Sequence, residues 1–194
     1  LSRNDALGQL GQRCAADPTI VVDTVLHRAD PHQRVLALVD TVPGFGWCVA
    51  APVEPDEPVV VVGDHGLANG LVRLEIEPDD GTWSIDGLAG LGQLVDVGDV
   101  GDTYNWCPPD IDTVVDRPER VVVTRTDTGP VRGVVVIETE HLLPEREGRD
   151  GQGHSVRTGE VLQRISTTLE LRAGEPFVRV TVALDQRARD HRLR

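Results

Sequence analysis

Apolar side chains recur two residues apart along most of this chain. That rhythm sends successive side chains to opposite faces of an extended segment, so it predicts strands rather than helices. The clearest case is Val72, Leu74 and Ile76 alternating with Arg73, Glu75 and Glu77. A Pro78-Asp79-Asp80-Gly81 turn follows, and then a return strand through Trp83 and Ile85. Further on, Val161, Gln163, Ile165, Thr167, Leu169 and Leu171 oppose Leu162, Arg164, Ser166, Thr168, Glu170 and Arg172, a run long enough for a large sheet. The turn Gly174-Glu175-Pro176 leads into Val178, Val180, Val182 and Leu184, whose alternation completes a hairpin. Between these lie strands predicted at residues 121–126 and 131–140, joined by Asp127-Thr128-Gly129-Pro130. The expected pairing is antiparallel almost throughout, and the fold class is all-β.

The first part of the chain carries a shorter version of the same pattern. Strands are expected at residues 19–26, 33–39, 47–53 and 59–62, separated by Pro, Gly and acidic turn chemistry. They form a small β domain over residues 17–62, followed by a larger sheet domain over residues 63–194. Only residues 2–15 show a helical period, with Leu7, Leu10 and Cys14 on one face and a weak Ser2-x-x-Asp5 capping box. Gly8 and Gly11 weaken that helix, and its length makes it marginal alone. Residues 1–16 are therefore expected to be a helical remnant of a preceding domain. Two segments escape the period, residues 98–112 and 144–154. Long irregular loops on a sheet scaffold are functional or mobile.

Composition narrows the partners. A chain of 194 residues that is 39% hydrophobic can bury a real core. Its formal charge of -13 comes from 32 acidic against 19 basic residues, all of them Arg. Such a surface repels phosphate backbones and anionic lipid, so neither nucleic acid nor membrane is expected as a partner. No run approaches the roughly 18 apolar residues of a membrane span, and no basic and apolar leader opens the chain, so a soluble cytoplasmic protein is expected. Cys14, Cys48 and Cys107 are too few and too scattered for a disulfide framework or zinc knuckle, and buried free thiols are expected. The histidines at 27, 32, 65, 141, 154 and 191 are not at ligand spacing, so no metal site is expected in this chain. The chain begins at Leu1 and contains no Met, and is expected to be a piece of a longer protein.

The candidate chemistry sits in Gly98-Asp99-Val100-Gly101-Asp102-Thr103-Tyr104-Asn105-Trp106-Cys107-Pro108-Pro109, which places the only Tyr and one of three Trp beside acids, an amide and a rigid Pro-Pro end. Sugar sites favour this mixture, because aromatic faces cover C–H surfaces while carboxylates and amides bind hydroxyls. A loop whose aromatics plug the end of a sandwich accounts for the same residues. A phosphate-binding reading of Gly98-Asp99-Val100-Gly101 fails, since no Lys and no helix follow. Pro78-Asp79-Asp80-Gly81 lacks the spaced oxygen ligands of a calcium loop and reads as a plain turn.

In order and context this run resembles the corresponding loop of glycoside hydrolase family 38, the α-mannosidases and bacterial mannosylglycerate hydrolases. Val42-Pro43-Gly44-Phe45-Gly46-Trp47 resembles that family's Pro-x-x-Gly-aromatic turn. Residues 67–81 with Trp83-Ser84-Ile85 resemble the start of its large β domain, and Asp190-His191-Arg192-Leu193-Arg194 resembles a motif further along that domain. The resemblance runs from about Val42 to the last residue. It implies a partial galactose-mutarotase-like super-sandwich, preceded by a small β-sandwich domain and a short N-terminal helix. It also implies a parent enzyme that hydrolyses α-mannosides with retention, using a carboxylate nucleophile and a zinc ion in an N-terminal barrel. That barrel would be this chain's partner, with a mannoside or other carbohydrate bound between them, and an oligomer would be compatible with it. Tyr104 matches the position of a family Tyr that reaches the sugar, with Asp102 and Asn105 beside it, and no catalytic residue is expected here. Two departures stand against the resemblance. The family's super-sandwich continues beyond the position of Arg194, and its usual Asn-Pro stretch is missing around residues 22–27.

Two other classes of function remain open from sequence, a stand-alone carbohydrate-binding or scaffold module and a mutarotase-type epimerase. The epimerase needs a Glu base and a His acid converging on one face. Glu138 and His141 are the nearest candidates, but their odd spacing sends them to opposite faces of a regular strand. The same alternation makes Asp190-His191-Arg192 an ion-paired strand end rather than a row of catalytic groups.

Overall fold

The computed structural model describes residues 3–17, 19, 35–39, 44–47, 49, 52–102 and 104–194. It divides into two compact units, Leu1–Val35 and Leu36–Arg194. In the first unit, helix α1 spans Arg3–Ala16, offset by one residue from the predicted helix. Its last turn carries Arg13, whose charge complements the carbonyl end of the helix dipole. The Asp17 N–H donates to the Arg13 carbonyl at 3.0 Å, and the Asp17 carboxylate accepts from Thr19 N and Oγ1. Of the predicted apolar face only Leu10 has a described side chain, and it is exposed. The predicted strand at 19–26 lies, beyond Thr19, outside the described residues.

The second unit is an all-β sandwich. One sheet has the order β1-β2-β3-β4-β5, from Val60–Val62, Gly66–Ala68, Arg73–Ile76, Trp83–Ile85 and Leu88–Leu91. It is a meander of short strands, each antiparallel to the one before it. Val60–Val62, predicted as the last strand of the small domain, pairs with Gly66–Ala68 in this sheet. Before it, Leu38 and Val53 form an isolated antiparallel bridge, and the strands expected at residues 33–39 and 47–53 lie partly outside the described residues.

The opposing sheet has the order β12-β11-β8-β7. β8, Arg132–Leu143, and β11, Val161–Arg172, are both twelve residues long and pair along their whole length. β7, Arg120–Thr128, joins with a bulge between Arg125 and Asp127, and β12, Arg179–Leu184, closes the predicted hairpin. In β8 the odd positions Ile137, Thr139, His141 and Leu143 are buried while Glu138 and Leu142 face outward. Leu67, Leu74 and Trp83 of one sheet pack with Val135, Ile137 and Leu169 of the other in a single apolar cluster. Fully burying a side chain such as Leu169 contributes about 1.5–3 kcal/mol. The sandwich is therefore held by the meeting of two dry faces.

Two further ladders complete the unit. β9, Arg146–Arg149, lies inside the stretch expected to be irregular and pairs with β10, Ser155–Thr158, just beyond it. Charged residues on both strands hide their alternation, and the intervening turn is fixed by Asp150, which accepts from Gln152 N and His154 N. β6, Asp96–Gly98, pairs with β13, His191–Leu193, near the unit's C-terminal end. No helix among the described residues is long and apolar enough to cross a membrane.

Candidate functional site

The stretch following β6 is the region singled out by its aromatic and acidic residues, and its geometry has three levels. At the neck, β6 is fixed on both sides, by β13 and by paired backbone hydrogen bonds between Asp96 and Val115 of 2.8 and 3.0 Å. The Gly98 N–H donates to the Asp112 carboxylate at 2.9 Å, which draws together the two ends of the loop. Gly98 is required by close approach, since a Cβ there would sit 2.6 Å from Pro109 Cδ and 2.9 Å from Arg157 Cδ.

Beneath the neck lies a buried charge cluster. Arg157 Nη2 donates to Asp96 Oδ2 at 2.5 Å and Nη1 donates to the Thr113 carbonyl at 3.0 Å, with Asp112 Oδ1 at 3.6 Å. His191 Nδ1 bonds Asp96 Oδ1, and the Gln186 amide reaches its Nε2. The Asp96 side chain is 1% exposed and that of Arg157 is fully enclosed. Among the described residues, Arg157 Nε has no hydrogen-bond partner. Within the terminal motif, His191 is thus hydrogen-bonded inward to Asp96 from a strand end.

The tip is held by local turns. Asp99 Oδ1 accepts from Gly101 N and Cys107 N, both at 3.1 Å, and Val100 N donates to the Cys107 carbonyl at 2.8 Å. Asp102 Oδ1 accepts from Tyr104 N at 2.8 Å and Asn105 N at 2.9 Å. These are Asx turns, in which a short acidic side chain replaces a backbone acceptor. The N–H bonds from Tyr104 and then Asn105 hold the Asp102 carboxyl below its usual range. On the return leg, the Ser155 N–H and hydroxyl do the same for Asp110. Trp106 Nε1 donates to the Gly98 carbonyl at 3.2 Å, tying the tip to the neck.

All three residues expected to meet a sugar lie on this tip and face solvent, with Tyr104 91% exposed. The structure brings them into one turn, where Asp102 uses an oxygen to shape the backbone. What the tip offers is an aromatic face, a phenol, an amide and a carboxylate. The aromatics do not plug the end of the sandwich, since Trp106 is also half exposed. Cys107, expected to be buried, is exposed in this loop, while Cys14 and Cys48 lie outside the described side chains. A loop whose polar groups are satisfied by its own carboxylates has no apolar interior in which to hide a thiol.

Other concavities lie elsewhere. A cavity of about 660 Å³ opens on the outer face of the four-stranded sheet, floored by Arg120, Glu138, Glu140, Arg164 and Ser166. Within it, Glu140 pairs with Arg164 at 3.0 Å and with Arg120 at 4.0 Å. A smaller one of about 140 Å³ lies on the opposite face beside Thr139, His141 and Arg117. Glu138 and His141 therefore open onto different sides of one sheet, which removes the epimerase pair. Burial pushes the His141 imidazole below its usual value, against the opposing pull of the Arg117 backbone and the Asp96 charge. Among the described residues, no group of three or more His, Cys, Asp or Glu is placed to hold a metal ion.

The alternation of β6 gave no sign of Asp96, whose partners lie 61 and 95 residues away. The available signal was chemical, an Asp in a strand whose neighbours are Val95 and Val97.

Solved structures with the same chain path decide the fold. An α-mannosidase from Enterococcus faecalis V583 superimposes with a TM-score of 0.59 and 18% identity, over 66% of this chain and 17% of that one. A protein in glycosyl hydrolase family 38 from Enterococcus faecalis gives a TM-score of 0.60 and 18% identity, over 66% of this chain and 18% of that one. The chain has the fold of a segment of these family 38 proteins. It spans under a fifth of the length of either, and at this identity the likeness speaks for architecture. No family model matches the chain. No curated protein matches it.

Proposed function

We propose that this chain is the non-catalytic β-sandwich portion of a retaining α-mannosidase-type glycoside hydrolase, and that its Gly98–Asp112 loop completes a sugar site formed mainly by an N-terminal barrel. The observation that carries the reading is the conjunction of a family 38 fold with Tyr104, Asp102 and Asn105 gathered on one exposed, internally braced turn. On this reading residues 63–194 are part of a galactose-mutarotase-like super-sandwich, residues 17–62 a small β domain, and residues 1–16 the end of a helical domain. Retaining hydrolysis needs two carboxyl groups roughly 5 Å apart across the scissile bond. The reading assigns that pair, and the zinc that binds sugar hydroxyls, to the barrel. The chain's own contribution is to orient and enclose: the Tyr104 ring covers a sugar face while its hydroxyl and the Asn105 amide bond hydroxyls.

The test is an assay with an aryl α-mannoside and zinc. The chain alone is expected to give no turnover, and the polypeptide that joins it to the barrel is expected to be active. Zinc-dependent hydrolysis by the chain alone would overturn the proposal. Sugar binding by the chain alone, with no active longer form, would favour a stand-alone binding module instead.

A further inference from the structure

We infer that Asp96, Asp112, Arg157 and His191 are positioning residues that set the pose of the Tyr104 turn from below; the inference rests on the sugar reading only for its kinetic consequence. Four separate elements converge at this point. Asp96 stands on β6 at the start of the loop, Asp112 at its end, Arg157 on β10 and His191 on β13. A buried charge stripped of a partner is strongly disfavoured, so Asp96 and Arg157 restrict where each other can sit, and the hydrogen bond from Asp96 to His191 adds a further constraint. Asp96 binds Arg157 through one oxygen and His191 through the other. Arg157 then spans from Asp96 to the Thr113 carbonyl and Asp112.

Gly98 passes this constraint to the tip. Its N–H is held by Asp112 and its carbonyl by Trp106 Nε1, so the same peptide segment is gripped from the neck and from the tip. Pro109 and Arg157 Cδ both close on its missing side chain, which leaves the segment little room to tilt. A second brace works in parallel, where Asp110 Oδ2 accepts from Ser155 N at 2.8 Å and Oγ at 2.9 Å. Ser155 belongs to β10, the strand that also carries Arg157. Above these anchors the Asx turns and the Val100–Cys107 backbone bond fix the tip's internal shape, while Asp99 N donates to the Asp190 carbonyl at 2.9 Å, beside His191 of the cluster. The direction of Tyr104 is therefore set by the cluster. None of these four side chains is expected to touch the sugar.

The experiment uses Asp112→Ala, which frees Gly98 N and one side of Arg157 while leaving the Asp96–Arg157 pair intact. Amide hydrogen exchange in the chain is expected to accelerate by about tenfold at Val100 and Cys107, neither of which bonds Asp112, with β8 and β11 amides unchanged. Asp112→Asn keeps an acceptor for the Gly98 N–H and is expected to return exchange to within about threefold of the parent. Unchanged exchange at Val100 and Cys107 in Asp112→Ala overturns the inference. In the barrel-containing polypeptide, Asp112→Ala is expected to lower kcat/KM for an aryl mannoside by about tenfold, and to have no further effect in a Tyr104→Phe background. Accelerated exchange with unaltered kinetics in both variants would leave the positioning intact and remove the sugar reading. Kinetics that depend on Tyr104 but not on Asp112, with exchange unaltered, would do the reverse.

Discussion

At the neck of the Gly98–Asp112 loop, Asp96 and Arg157 are closed off from water and bonded to partners distant in sequence. At the tip, Asp102, Tyr104 and Asn105 stand in solvent and are shaped by bonds two or three residues long. The two regions share acidic residues and a short stretch of chain, yet their acids do different work. A buried carboxylate needs its cation and makes the fold depend on it. An exposed one in an Asx turn trades water for backbone N–H groups and changes little in free energy. The contrast teaches that a chain can secure a presenting surface without stabilising that surface directly, by fixing what lies beneath it.

The largest effect expected to test this contrast is at Arg157. Replacing it by Met leaves buried Asp96 Oδ2 without its cation while His191 still holds Oδ1, and a loss of about 3–5 kcal/mol in urea unfolding is expected. A loss below about 1 kcal/mol would mean that the cluster is not a structural dependency. Ser155→Ala removes the hydroxyl that donates to Asp110, and a much smaller loss than in Arg157→Met is expected in the same measurement. Asp102→Ala should cost no more than Ser155→Ala, because the N–H groups it frees are open to water. If it costs as much as Arg157→Met, the distinction between neck and tip fails.

A smaller effect concerns pH. Burial keeps His141 below its ordinary value of 6.5, so the folded state takes up a proton less readily than the unfolded state. Its contribution to stability is fully present above that value and is lost as pH falls from there toward the lowered folded value. Stability measured from about pH 7.5 down to about 5.5 is expected to fall in the parent and to fall less in His141→Phe. Equal slopes would show that the imidazole is not the group responsible.

Much of the sandwich was legible because alternation is a local property. The long hairpin of β11 and β12 shows both its reach and its limit. Ile165, Leu169 and Leu171 on β11 are buried as their spacing predicts. Val180, Val182 and Leu184 on β12 pair in register with the same face, yet each is more than two-fifths exposed. Periodicity tells which side of a strand is dry, and only the tertiary structure tells how far the opposing sheet reaches. β9 and β10 were missed for a different reason, since Arg146, Glu147, Arg149 and Arg157 obscure their period while cross-strand hydrogen bonding, invisible in composition, joins them. In the loop, residue types singled out the run from Gly98 to Pro109, and the family 38 resemblance picked Tyr104, with Asp102 and Asn105, within it. The cluster that supports them was not legible, because Asp96, Arg157 and His191 meet only after two separate ladders have formed.

The account stands most directly on whether Tyr104 meets the sugar. Steady-state kinetics of Tyr104→Phe in the barrel-containing polypeptide, with an α-mannoside as substrate, would measure this. A fall in kcat/KM of about tenfold or more is expected, with stability within about 0.5 kcal/mol of the parent. Kinetics indistinguishable from the parent, at equal stability, would contradict it.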